Sequence, residues 1–325
     1  MKTLSIIIPA YNMEKYLSRC LDSALILQQK IELIIINDGS IDKTLQIAKQ
    51  YKKQYPNIKL INKENGGHGS AINAGIQVAT GKYVRVLDSD DWFNTEKIDE
   101  YLKFIDEQEV DMVLTEFSIN DTDKHKIVPF KFHQLKPFKW LKFADINKIP
   151  DDSDKINILS LHTITIKTEL IKAHWGDGLL EKTFYEDQEY VAKCILAARN
   201  FVVLPINIYQ YFIGRNEQSM NSDKMFKNRR QHERVINSII ELTNQCTDKG
   251  KKELLAYRLR KIIKTHYWIY FYSTNLTKKE RREYKRFKRD VLNSNLGLLK
   301  DITPKYKLRL FIGRNKNKLK KKGLE

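Results

Sequence analysis

Residues Lys82–Phe93 read KYVRVLDSDDWF, and the reading of this stretch decides the fold. Its first half sets Tyr83, Val84, Val86 and Leu87 around Arg85 and opens just after Gly81, the pattern of a buried strand. Its second half places Asp88, Asp90 and Asp91 at the strand's C-terminal end, with only Ser89 between them. Three like charges crowded at a strand end repel unless something positive binds there. In an open α/β sheet, that end is where ligands sit. A hard divalent cation, held by one or two carboxylates with water and phosphate completing its shell, would neutralise the cluster. The same residues also suit an acidic turn before a helix, whose N-terminus favours Asp. A DxD alone does not separate the two. Its neighbours in the chain do.

Working outward, Leu4–Ile8 is a strand that stops at Pro9, and Glu14–Leu27 carries apolar residues at helical spacing. The run ELIIIND ends at Asn37–Asp38–Gly39–Ser40 and is apolar without alternation, as expected of a strand buried on both faces of a parallel sheet. Asp42–Tyr55 reads as a helix, Ile58–Asn62 as a strand and Ser70–Ala79 as a helix after the glycines of NGGHG. Strands alternating with helices of this length indicate βαβ units and a mainly parallel α/β sheet. Downstream come a helix at Thr95–Glu107 and strands at Asp111–Phe117 and Ile164–Lys167. A short helix at Glu169–Ala173, a helix at Glu186–Ala198 and a last strand at Phe201–Leu204 follow. Residues Asn120–Lys155, broken by Pro129, Pro137 and Pro150, resist parsing, and a connection that long is functional or hides further elements. Beyond Ser222, strand patterns vanish, and Met225–Cys246, Lys252–Tyr272 and Lys278–Leu292 read as basic amphipathic helices.

The 325 residues are 42% hydrophobic and 30% charged, a soluble balance with no apolar run able to span a bilayer. The N-terminus reads as a first strand and not as a signal peptide. Cys20, Cys194 and Cys246 are odd in number and widely spaced, which suggests a reducing cytoplasm without structural disulfide or zinc. The net charge of +18 is lopsided. From Asn216 onward, 30 Lys and Arg face 11 Asp and Glu, whereas the first 215 residues hold 28 and 29.

Polar or acidic residues thus close three strands, at Pro9–Asn12, Asn37–Ser40 and Asp88–Asp91, and the strand-end rule brings them to one crevice. Together with NGGHGSAINAG and the later YEDQEY, the motifs IIIPAYN, IINDGS and LDSDD resemble the family 2 glycosyltransferases. The resemblance runs from Leu4 to about Asn221. It implies a GT-A fold and an inverting enzyme that moves one sugar from a UDP-sugar, with Mn²⁺ or Mg²⁺, in bacterial surface-glycan synthesis. By the resemblance, Pro9 and Tyr11 line the base pocket and Asp38 meets the uracil. Asp88 lies at the ribose and donor sugar, Ser89 is among the donor-binding residues, Asp90 ligates the metal, and Asp91 is a helper there or a helix cap, the cap being favoured. Asn73 matches the end of the family's Ala-Arg-Asn triplet, but Ile72 stands where the arginine is expected. His68 and Arg85 are the candidates to replace that charge, although a lone His in a Gly-rich turn reads as solvated. In the Glu186–Asp187 pair, Asp187 would be the base that takes the acceptor hydroxyl proton. The processive QxxRW motif is absent, and YFIGRNEQS resembles a segment that closes over the donor, with Arg215 near the departing diphosphate.

The expected division is a GT-A catalytic domain at 1–221 and a basic helical region at 222–325 for acceptor or membrane association. The acceptor would be a glycan, a lipid-linked or a polyanionic molecule. The setting would be cytoplasmic, with the basic tail Lys300–Lys322 docking on an anionic membrane face. Two rivals remain at this point: a nucleic-acid binder built on the basic region with Tyr267, Trp268, Tyr270, Phe271 and Tyr272, and a scaffold without catalysis. No recognisable nucleic-acid motif supports the first, so no nucleic-acid partner is expected. Intact Asp38, Asp88, Asp90 and Asp187 argue against the second.

Overall fold

The computed structural model describes residues 2–25, 30–150, 153–214, 222–272, 276–294 and 296–298. Arg215 and the tail Lys300–Lys322 lie outside the described residues. The chain separates into two compact units, Met1–Gln218 and Ser219–Glu325.

The first unit begins with β1 (Leu4–Ala10), α1 (Leu17–Ala24), β2 (Ile31–Asp38), α2 (Thr44–Gln54), β3 (Ile58–Lys63), α3 (His68–Val78) and β4 (Tyr83–Val86). There follow β5 (Trp92–Phe93), α4 (Ile98–Glu107), β6 (Met112–Asp121), β7 (Lys126–Phe130), β8 (Trp140–Leu141), α5 (Phe143–Asn147) and α6 (Ser153–Asn157). The unit ends with β9 (Ile164–Lys167), α7 (Thr168–Ala173), α8 (Glu186–Ala197) and β10 (Phe201–Ile213). One sheet runs in the order β3-β2-β1-β4-β9-β6-β10-β5, with β7 paired to β6 and β8 to β10. The βαβ alternation yields the parallel block β3-β2-β1-β4. Beyond it, β9 is inserted antiparallel between β4 and β6, while β6 and β10 run parallel. All eight residues of β2 are buried, as its unbroken apolar run requires. Each such isoleucine removed from water contributes about 2 kcal/mol.

Several element bounds shift from the sequence reading, and three differences shape the sheet. β1 continues through Pro9, which lies opposite Ile36. Leu87 N donates to Ile7 O, and Pro9, next on that edge, sits past the end of the β4 ladder, so its missing N–H costs no partner there. β10 runs on past Pro205 because a register shift between Leu204 and Asn207 absorbs the proline. The unparsed stretch holds a hairpin, with Phe117–Asp121 pairing to Lys126–Phe130. Its turn contains His125 at φ 47° instead of the Asn-Gly or Gly signal that marks most short hairpins.

The second unit contains α9 (Ser222–Lys227), α10 (Arg229–Gln245), α11 (Lys249–Tyr272) and α12 (Lys278–Asn293). Val235, Ile236, Ile239 and Ile240 form the buried stripe of α10, with Leu255, Leu259 and Ile263 doing the same on α11. Tyr267 and Tyr270, which the rival nucleic-acid reading would offer to bases, are buried core residues. No helix among the described residues is long and apolar enough to cross a membrane.

Candidate active site

The strand-end segments do meet, and named hydrogen bonds lace them. The turn after β1 is tied to the turn after β2 by Asn12 N to Ser40 Oγ (3.1 Å), Ile41 N to Asn12 Oδ1 (2.9 Å) and Met13 N to Thr44 Oγ1 (2.7 Å). Pro9 is buried in β1, whereas Tyr11 just beyond it is 45% exposed at the mouth. Asp38 is buried. Its Oδ1 accepts from Lys63 Nζ (2.8 Å) and Gly66 N (3.0 Å), its Oδ2 from Gly67 N (2.8 Å). The carboxylate therefore shapes the NGGHG loop. Gly67 is at φ 88°, and a Cβ there would stand 3.2 Å from Lys182 N, so the loop needs glycine to lie against the segment leading into α8.

His68, the first residue of α3, is the hub of the crevice. Its Nδ1 lies 2.7 Å from Glu186 Oε1 and its Nε2 2.9 Å from Asp88 Oδ1. Both carboxylates hold its pKa well above the usual range despite burial, which opposes the shift. The sequence read this histidine as solvated. The correction is geometric: the tight NGG turn aims the ring between two acids that are 20 and 118 residues away in the chain. Gly69 allows the approach, since a Cβ there would sit 2.7 Å from Leu180 O and 3.1 Å from Glu186 Cγ.

At the end of β4, Asp91 is fully buried and is no helix cap, because β5 follows it and α4 starts only at Ile98. Its Oδ2 accepts from Tyr209 Oη (2.6 Å) and its Oδ1 from Phe212 N (2.7 Å), both on β10. Burial and the charges of Asp90 and Asp88 push its carboxyl well above the usual range. Arg19 of α1 donates to Asp90 O (2.6 Å) and stacks over Trp92 at 3.8 Å, steadying the turn. Ser89 is buried beside it. One ligand atom each from Asp88, Asp91 and His162 lies within 4.8 Å of the others. His162 is kept neutral by burial, its pKa pushed down to about 4. Two mutually repelling carboxyls and an unprotonated imidazole fit a divalent cation. Asp90, the expected ligand, is not a member of this triad.

Arg85 is no substitute for a phosphate-binding arginine. It is fully buried and donates to Thr115 Oγ1 (2.9 Å), Thr165 Oγ1 (3.3 Å) and His162 O, pinning β4 to β6 and β9. Ile72, at the triplet's arginine position, is also fully buried, so that side chain faces the core. Asn73 spends its amide on Leu179 N (2.7 Å), Leu179 O (3.0 Å) and Trp175 Nε1 (3.1 Å), which fixes the segment before α8. At the start of α8, Tyr185 takes the left-handed conformation, φ 73°, and turns Glu186 and Asp187 into the crevice wall. Burial first, and then the charge of Glu186, raise the Asp187 carboxyl to about 6.

This set of strand-end carboxylates facing an acidic helix start agrees with the comparison to known families. Residues 5–174 match the model of glycosyl transferase family 2. The chain belongs to that family. It is 35% identical over 228 residues to glycosyltransferase GlyA of Streptococcus pneumoniae, an alignment covering 66% of this chain and 31% of GlyA. It is 30% identical over 226 residues to the poly(ribitol-phosphate) β-glucosyltransferase of Bacillus spizizenii, covering 67% of this chain and 33% of that enzyme. The chain thus spans about a third of the length of these curated relatives. Among solved structures, Staphylococcus aureus TarS 1–349 superposes with a TM-score of 0.70 at 23% identity, over 98% of this chain and 88% of TarS. TarS has also been solved with UDP-GlcNAc, at a TM-score of 0.64 and 22% identity, over 98% of this chain and 88% of that one. These structures establish the GT-A architecture of this family 2 member.

Proposed function

We propose that this family 2 chain is an inverting glycosyltransferase that moves a single sugar from a UDP-sugar to an acceptor hydroxyl in bacterial surface-glycan synthesis. The observation that carries the reading is the His68 bridge, which joins the Asp88 corner to the Glu186–Asp187 helix start across one crevice. Pro9 and Tyr11 would flank the uracil, and Asp38, with lone-pair room left on Oδ2, would accept its N–H. Asp88 and Ser89 would face the ribose and the donor sugar. A divalent ion held by Asp88, Asp91 and His162, with Asp90 alongside, would supply Lewis-acid charge to the leaving diphosphate, and Mn²⁺ or Mg²⁺ suits these donors.

In the transfer, the acceptor oxygen attacks the anomeric carbon from the side opposite the diphosphate, and that C–O bond breaks. The acceptor proton passes to Asp187, whose pKa of about 6 keeps it ionised at neutral pH and matches it to a general base. Glu186, held by His68, raises the Asp187 carboxyl by its charge and would orient the acceptor or a neighbouring loop instead of taking the proton. The α/β unit is the catalytic part and the helical unit serves the acceptor. A UDP-sugar donor and three buried free cysteines support a cytoplasmic setting. The names of the relatives favour a hexose or N-acetylhexosamine donor.

The test is a hydrolysis screen across UDP-sugars with Mn²⁺. Slow UDP release from one sugar and not the others supports the reading and names the donor. No UDP binding and no release from any of them overturns it.

A further inference from the structure

We propose that the outward face of α12 is a docking track for a phosphodiester-linked polyanion. That this polymer is the sugar acceptor rests on the transfer reading above; the docking itself does not. The helix carries eight cations and three acids in sixteen residues, and the acids are already engaged. Glu283 is buried against Arg229 (3.1 Å) and Arg230 of α10. Glu280 closes a capping box on Thr277 and faces Arg229 at 3.4 Å, while Asp290 lies 3.6 Å from Arg289. The negative charge of the helix is therefore neutralised locally, and most of its positive charge is left over.

Packing fixes which way the surplus points. Glu283, Phe287 and Val291 recur every four residues and are buried, with the Phe287 ring 4.4 Å from that of His266 on α11. At 3.6 residues per turn, Lys278, Arg282, Lys285 and Arg289 then line the opposite face. Successive cations on it are about 4.5–6 Å apart along the axis. Lys278, Arg282 and Lys285 make no ion pair among the described residues. A surface cavity of about 570 Å³ runs beside them, lined by Lys278, Lys279, Arg282, Glu283, Arg286 and Arg289.

What this face lacks selects the occupant. The nearby rings turn inward: Tyr267 and Phe287 are buried, and Tyr284 packs edge-on to Tyr267 at 5.5 Å. Without outward rings there is no platform for stacking bases, which single-stranded nucleic acids need. Leu292 is the one exposed large apolar side chain on the helix, far short of the apolar face that inserts into a bilayer. Repeated charge without rings or grease suits a flexible polymer with a phosphate in every repeat, bound by charge-assisted hydrogen bonds and counterion release. A chain held this way keeps its hydroxyls at high local concentration for repeated transfer.

The experiment compares the full chain with the quadruple variant Lys278→Gln, Arg282→Gln, Lys285→Gln, Arg289→Gln. Both are titrated with fluorescent poly(glycerol phosphate) at 50 and 200 mM salt. The variant should bind at least tenfold more weakly, and its slope of log affinity against log salt should flatten by about 3, for four lost phosphate contacts. With the polymer as acceptor, KM should rise while kcat and acceptor-free UDP-sugar hydrolysis stay at parental values. Should the quadruple variant melt early, Lys278→Gln, Lys285→Gln repeats the test with half the slope change. Equal affinity and slope in parent and variant overturn the proposal. So does tighter parental binding to phosphatidylglycerol vesicles or to single-stranded DNA than to the polymer. If neither protein hydrolyses any UDP-sugar, the transfer reading fails, while the titration still decides the docking.

Discussion

At Asp91 a carboxylate is clamped from behind, with Tyr209 Oη and Phe212 N on its two oxygens and no surface exposed. At Asp187 the same side chain stands at a helix start, with Gln188 Nε2 at 2.9 Å as its one side-chain donor among the described residues. Both carboxyls are pushed upward by burial, yet only the second is left open enough for the proton transfer proposed for it. The difference separates two tasks. A residue that fixes charge in place is over-determined by its neighbours. A residue that takes up a proton keeps an open oxygen and a pKa near the working pH.

The sharpest way to break this contrast is Asp187→Asn. Turnover should fall a hundredfold or more with UDP-sugar affinity nearly intact. Because the proton leaves Asp187 above about 6, the parental kcat should climb with pH through that value and then level off. The acid limb should vanish in the variant, and a limb that persists would assign it to another group. Next in size is the clamped corner. Asp88→Ala should weaken Mn²⁺-dependent UDP binding by at least tenfold, measured by calorimetry with and without chelator. Asp90→Ala should weaken it less, since Asp90 is outside the triad, and the reverse ranking would move the ion toward Asp90. The link between the corners is tested by His68→Ala, for which kcat should drop about tenfold, the scale of a lost orienting contact. Loss confined to UDP affinity would show that His68 serves the donor corner only. Smallest for activity is Tyr209→Phe, which should cost about 2 kcal/mol of stability in denaturant, as one hydrogen bond to a buried carboxylate is lost.

How much of this was legible in the sequence follows the same division. The block β1–β4 could be read because continuous apolar runs and helical periods are local signals, each punctuated by a polar strand end. Asp88 and Asp187 could be singled out because each sits in a short acidic motif. His162 could not, since nothing in SLHTIT marks a residue whose neighbours are Asp88 and Asp91. His68 was noticed but read as solvated, and Tyr209 was missed, for the same reason: their partners lie up to 118 and 121 residues away, and only the sheet order brings them together. Asn73 and Arg85 carried polar side chains that looked functional, but the fold spends them on holding Leu179 and on joining three strands. The β7 hairpin and the second half of β10 were hidden by Pro129 and Pro205, which a strand tolerates only at an edge or a bulge.

The sheet order also sets a timetable. The parallel block β3-β2-β1-β4 is complete once the ribosome has made about the first quarter of the chain, and its connections are short. Asp91 finds Tyr209 only after another 118 residues, because the strand that clamps it is the last of the unit to emerge. Domains fold as units during synthesis, and contacts distant in sequence form late. A nascent chain stalled before β10 would hold the formed parallel half-sheet next to an unclamped acidic turn. The acidic turn is thus the last part of the crevice to be set in place, when β10 pairs with β6 and β5.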